Sequence, residues 1–292
     1  MAPINRFSAL LLFGLTLISG GLHAQRFLPH KEIGFWVGGS HYMGDLNERF
    51  EFIQIVRPAG GILLQHNFSD RWGWRNTANF GRIYGSDKFS TLQNYRNRNL
   101  HFRSNVVELN SQFVFNFLPF HIGGETPGFI FPFSPYMFWG LGMFYFNPKA
   151  ELNGSWYALK NLDTEGQGTA VYKKKNYSRI QANMPFGFGI KAQMGKKSSI
   201  GFEWGLRKTW TDYLDDVSTT YPDYYTLKFE RGQEAAELSD PSLSKPEDNP
   251  AINSGKQRGN AKTKDWYSFF GLVLTYKLDG GKGKCASYSG GK

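Results

Sequence analysis

From residue 32 onward the chain repeats one pattern, a two-residue alternation that lasts eight to twelve residues and then breaks at a turn. Between Val107 and Phe117 the apolar Val107, Leu109, Phe113, Phe115 and Phe117 share one face, and Glu108, Asn110, Gln112 and Asn116 the other. A strand puts successive side chains on opposite sides, so two faces of opposite polarity imply two different environments. Elsewhere glycine fills the second face. Phe186, Phe188 and Ile190 alternate with Gly187, Gly189 and Lys191; Met137, Trp139, Leu141, Met143 and Tyr145 alternate around Gly140 and Gly142. Ile200, Phe202, Trp204 and Leu206, and again Phe270, Leu272, Leu274 and Tyr276, repeat the arrangement. A soluble sandwich places polar side chains on its outer face. Bulky apolar residues opposite glycine suit a narrow barrel, crowded inside and greasy outside.

Eight such segments are present, at about 32–41, 56–68, 71–83, 102–118, 134–147, 181–194, 199–211 and 265–278. The second and third are joined by Ser69-Asp70, and the sixth and seventh by Gly195-Lys196-Lys197-Ser198, both hairpin-sized. The fourth and fifth are joined through Pro119 to Pro132, and the remaining links are mostly longer. The expected fold is therefore all-β: an eight-stranded antiparallel transmembrane β-barrel with long extracellular loops and short periplasmic turns. Arg6 followed by the apolar run Ala9 to Ile18 reads as a signal peptide over residues 1–24, which leaves residues 25–278 for the barrel. Residues 279–292 form a basic tail on the periplasmic side. The polar stretch of about 230–264 shows no apolar periodicity and is expected to be mobile.

Aromatic residues reach 17% of the chain, against 20% charged, which excludes disorder. The formal charge of +10 reads as a surface property, and no nucleic acid partner is expected. A single cysteine rules out an internal disulfide framework and a cysteine-based zinc site. No phosphate loop, nucleophile elbow or zinc-protease helix occurs, and the histidines do not stand at metal-ligand spacing. Neither enzyme activity nor a cofactor is expected. Asp212, Asp215 and Asp216 place three carboxylates within five residues and are candidates for calcium, with solvated loop acids as the default. Arg75, Glu108, Lys191, Glu203, Arg207 and Lys277 fall on the lumen face, where opposite charges should pair and close the channel. In the tail, Lys282, Lys284 and Cys285 could contact an acidic periplasmic partner.

Six short motifs follow one another in the chain. They are Tyr42-Met43-Gly44-Asp45-Leu46-Asn47, Asn97-Arg98-Asn99-Leu100-His101-Phe102 and Phe133-Ser134-Pro135-Tyr136, then Phe146-Asn147-Pro148, Thr164-Glu165-Gly166-Gln167-Gly168 and Thr211-Asp212-Tyr213-Leu214-Asp215-Asp216. Their order resembles the PorG-like family of Bacteroidota outer-membrane proteins, over about residues 33 to 278. The resemblance implies a barrel held in outer-membrane lipids and associated with the type IX secretion and gliding machinery. Its implied partners are a periplasmic ring of a PorK-like lipoprotein and a PorN-like protein. It implies no activity and no cofactor. The stretch near 230–264 and the Lys-rich tail depart from the family pattern. The competing expectation is an outer-membrane barrel enzyme or small-ligand receptor with its site at the extracellular rim. A closed lumen with paired charges would favour the anchor; converging His, Ser and carboxylate groups at the rim would favour the alternative.

Overall fold

The computed structural model describes residues 27–47, 55–120, 122–123, 132–172, 176–246 and 248–278. The expected signal peptide (1–24) and the tail with Lys282, Lys284 and Cys285 lie outside these residues. The strands are β1 (His30–Met43), β2 (Arg57–Asn67), β3 (Trp72–Ser86), β4 (His101–Asn116), β5 (Phe133–Leu152), β6 (Ser155–Ala158), β7 (Ile180–Gln193), β8 (Ser198–Thr209) and β9 (Trp266–Leu278). Each barrel strand is antiparallel to its neighbours. β1 pairs with β9 from Lys31↔Leu278 to Met43↔Trp266, and β4 pairs with β5, which closes eight strands into a barrel without an open edge.

The ninth strand, β6, was not expected. β5 runs on to Leu152, beyond the expected end at residue 147, and folds back through Asn153-Gly154 so that Leu152 pairs with Ser155. Both turn residues have positive φ, 50° and 80°, as a tight hairpin of this kind requires. The arm stands on top of the barrel wall.

The exposed positions are the predicted apolar ones. Leu141 is 66% exposed, Leu109 63% and Phe188 63%, whereas Glu108 on the opposite face of β4 is fully buried. Such a surface has no place in water, and the eight strands carry it all round. Inside, Phe102, Phe144, Phe146, Tyr267 and Phe269 form one apolar cluster and Val114, Tyr136 and Phe138 another. The glycines make room for these rings. Gly187 faces Gly205 across β7 and β8, and a Cβ on Gly187 would lie 2.6 Å from the Gly205 Cα and 2.7 Å from the Phe138 ring.

The short links, 68–71 and 194–197, lie at one end together with 117–132; the four long links lie at the other. The last of these, 210–265, includes the stretch of about 230–264 for which no apolar period was visible. It contains α3 (Tyr224–Arg231) and α4 (Gln233–Ser239), after α1 (Gln93–Arg98) and α2 (Leu159–Leu162) in earlier links. Asp223 caps α3 by accepting the Thr226 N–H at 2.8 Å, and Leu227, Ala235, Ala236 and Leu238 are buried. Two helical turns offer too few apolar positions for a period to be visible in sequence, but they suffice to cover a barrel mouth.

Candidate functional site: the plugged lumen and its cap

Glu108 sits at the centre of the upper lumen and is saturated with donors. The Tyr267 hydroxyl donates to it at 2.5 Å, Asn79 at 2.7 Å, Asn110 at 2.6 Å and Asn183 at 2.8 Å, and the Arg207 guanidinium lies 3.2 Å away. Lower down, Arg75 donates to Glu203 at 2.6 Å and to Gln112 at 2.7 and 2.9 Å, while the Tyr136 hydroxyl closes on Glu203 at 2.9 Å. Lys191 lies over the rings of Phe120 and Tyr136, and Lys277 at the lower rim donates to the Ile122 carbonyl at 2.9 Å. All six lumen charges named from the sequence thus have partners, in two clusters and one rim contact.

Sequence reasoning missed a third cluster in β1 and β2, where Glu32 takes His30 at 3.0 Å and Asn67 at 2.5 Å. Its signal was Glu32 opposite Gln65 in an otherwise poor alternation. Between Glu32, Arg75, Tyr136 and Lys191 remains a cavity of about 20 Å³. That is room for roughly one water. Paired charges and rings fill this section of the lumen.

Above the lumen the four long links pack into a cap. Gly44 allows β1 to turn into it, since a Cβ there would fall 2.1 Å from both the Tyr42 hydroxyl and Asp265. Asp45 accepts the Asn260 N–H at 2.8 Å, Asn47 donates to the Tyr42 carbonyl at 2.7 Å, and Leu46 is buried. This motif is a turn stabilised by Asp and Asn. Thr164 to Gly168 form a structured loop in which Gly166 and Gly168 take φ of 79° and 67°. The buried Glu165 accepts the Ser218 N–H at 2.8 Å, the Thr219 N–H at 3.0 Å and hydroxyl at 2.6 Å, and Arg258 at 3.2 Å. Gln167 receives the Glu165 N–H at 3.0 Å. Arg258 is itself fully enclosed and donates to the Asp216 and Ser239 carbonyls of its own link at 2.5 and 3.0 Å, so that with its contact to Glu165 one side chain ties two links together. Arg98 does the same for β3–β4, with two 2.7 Å bonds to Asp87 and one of 2.9 Å to the Asp45 carbonyl.

The three calcium candidates do not converge. Asp212 accepts the Ser218 hydroxyl at 2.7 Å, Asp215 the Tyr42 hydroxyl at 2.6 Å, and Asp216 the Tyr177 hydroxyl at 2.7 Å and that of Thr164. Nor are they solvated: all three are buried. Among the described residues no group of His, Cys, Asp or Glu is arranged to hold a metal ion. Burial instead makes these acids hold protons more tightly than a free carboxyl does. Burial pushes Asp212 up to about 7 and Asp216 up to about 6. Asp215 and Asp265 stand well above the carboxylate range because both are buried and each faces neighbouring carboxylates. The Tyr42 hydroxyl reaches Asp215 at 2.6 Å and Asp265 at 3.1 Å, and its single hydrogen can serve only one of them. Tyr213 stacks on Tyr177 at 4.8 Å, which links the Asp216 loop to that of Thr164.

A family model described as a domain of unknown function, DUF6089, matches residues 10–235. This chain belongs to the DUF6089 family. The matched stretch ends within α4, so in this DUF6089 protein β9 and the Arg258 end of the cap lie beyond it. No curated protein matches the chain. Among solved structures it is similar to Neisserial surface protein A, at 7% identity and a TM-score of 0.40, over 86% of this chain and 100% of that one. Ail of Yersinia pestis, solved with a heparin analogue, gives 8% identity and a TM-score of 0.38 over 86% and 100%. OprG of Pseudomonas aeruginosa gives 9% and 0.33 over 86% and 95%.

Proposed function

We propose that this protein is a non-enzymatic outer-membrane barrel that anchors or aligns a periplasmic assembly, and that the assembly belongs to the type IX secretion and gliding machinery of Bacteroidota. The apolar outer face supports a membrane setting. Long links at one end and short turns at the other support an orientation with the cap outside the cell and the turns in the periplasm. The observation that carries the anchor reading is the plugged lumen. A barrel whose interior charges are paired around Glu108 and Glu203 has no path for solutes, which leaves a binding role for its two ends. The motif order that resembles the PorG-like family points to a ring of PorK-like and PorN-like proteins, met through the short turns and residues 279–292. Isolation from native membranes in mild detergent tests this. The ring proteins should accompany the barrel, and their absence from a correctly folded preparation would refute the anchor.

One observation favours a second reading, a small-ligand receptor. A polar cavity of about 430 Å³ opens on the cap, lined in part by Asn94, Asn97, Tyr221, Asn253 and Gln257. Ligand-dependent thermal stabilisation that is lost on Asn94→Leu would support this reading over the anchor.

A further inference from the structure

The outward face changes character at one level on three adjacent strands. Phe80, Val107 and Tyr145 stand side by side in register on β3, β4 and β5, all apolar and exposed. Two positions further towards the cap come Arg82, Asn105 and Asn147, and two further again Tyr84, Arg103 and Lys149. A strand advances about 3.3 Å per residue, so the apolar wall gives way to cations within roughly 7 to 13 Å. Along β4 and into Phe117 the outward run back to Val107, apolar except for Ser111, measures roughly 33 Å along the strand. At a tilt of about 40° it spans about 25 Å, the height of a lipid-facing band. The cations lie at the cap-side edge of that band.

They are also uncompensated. Arg103 and Lys149 are direct cross-strand partners, an arrangement in which like charges repel. The Arg82 Nε donates to the neutral Asn105 at 2.9 Å, and the Arg103 guanidinium lies 3.5 Å from the ring centre of Trp156 on the β6 arm. Among the described residues none of the three forms an ion pair, in contrast to Arg75 and Arg207 inside the barrel. Glu151, two positions beyond Lys149 on the same face, forms none either, and its N–H goes to His101 at 3.0 Å. Two guanidinium groups and an ammonium at a membrane boundary, backed by an interfacial tryptophan, are the donor set that grips phosphate oxygens.

We propose that Arg82, Arg103 and Lys149 bind the phosphate of an anionic lipid headgroup in the leaflet on the cap side. The site rests on the membrane reading above. The β6 arm then has a purpose: it carries Trp156 to the edge of the headgroup layer.

The test reconstitutes the full barrel in nanodiscs of phosphatidylcholine, alone or doped with bis-phosphorylated lipid A or its dephosphorylated form, and reads retained lipid by native mass spectrometry. The wild type should hold the phosphorylated form about tenfold better than the dephosphorylated one. The Arg82→Gln, Arg103→Gln, Lys149→Gln triple variant should lose that preference. Millimolar inorganic phosphate should not displace the lipid. Equal retention of both lipids, or a triple variant that behaves as wild type, overturns the site; displacement by inorganic phosphate overturns its assignment to lipid. Entry into undoped nanodiscs reports the membrane reading separately. Failure there by the wild type would remove that reading and this site with it, whereas entry without lipid preference removes the site alone.

Discussion

The lumen and the cap both bury charge, and the cap buries far more carboxylates than cations. In the lumen each buried carboxylate faces cations or neutral donors: Glu108 has Arg207, and Glu203 has Arg75. In the cap the four aspartates Asp45, Asp212, Asp215 and Asp265 crowd one region, and the fully enclosed Arg258 is taken by Glu165. Beyond its ion pairs, the cap therefore relies on hydroxyl and backbone N–H donors and on carboxyls that burial makes slower to ionise. A cap whose buried acids hold protons more tightly than free carboxyls should lose stability as pH rises towards neutrality.

The largest effect expected from breaking this comparison is in the lumen. Glu108→Ala leaves Arg207 buried without its partner and should destabilise the barrel by about 3–5 kcal/mol, read as a lower urea midpoint of the folded band on a heat-modifiability gel. Next comes the lipid face. Leu141→Arg should impair folding into bilayers by about 2–4 kcal/mol if the site is near mid-bilayer, and Gln193→Arg, on the lumen side near the turn, by much less. Gln112 is a poor control, since Arg75 already donates to it twice and a second guanidinium there would face the first. Equal damage from Leu141→Arg and Gln193→Arg would mean that the two faces are wrongly assigned.

In the cap, Glu165→Gln should cost about 1–3 kcal/mol of local stability without lowering the barrel's own midpoint. Hydrogen exchange in residues 211–219 and 233–246 should rise while the strands stay protected. The smallest effect is the pH response. The folded cap holds Asp212 at about 7 and Asp216 at about 6, above an unfolded value of roughly 3.9. The folded state thus binds protons that the unfolded state has released. Its stability is full below about pH 4 and declines as pH rises through 6 to 7. Exchange of the cap, corrected for intrinsic rates, should be faster at pH 8 than at pH 5, and Asp212→Asn should flatten the difference. A cap equally protected at both values would show that its acids are ionised throughout.

The same contrast explains what could be read in the sequence. A strand exposed to lipid on one face and to a packed lumen on the other repeats every two residues for a dozen positions, so Val107 to Phe117 announced its own faces. The cap has no such repeat. Glu165 meets Ser218 and Arg258 across 53 and 93 positions, and no local pattern reports such contacts. Asp212, Asp215 and Asp216 were legible as a cluster, but their proton-holding state depends on Tyr42, Asp45 and Asp265 from distant segments. The polarity of 230–264 suggested mobility because Arg258 and Asp240 count as solvent-seeking residues until their partners are known. β6 is four residues long, too short to show an alternation.

The central claim is that the lumen is a plug and the barrel a platform rather than a pore. Current through single molecules in a planar bilayer tests it most directly. The folded protein should show no stable conductance above the bare membrane at neutral pH, with the cap intact or with residues of the 210–265 link loosened by Glu165→Gln, because Glu108, Arg207, Arg75 and Glu203 lie below the cap and stay paired. Steady, reproducible open channels in the intact protein would contradict the plug and the anchoring role built on it.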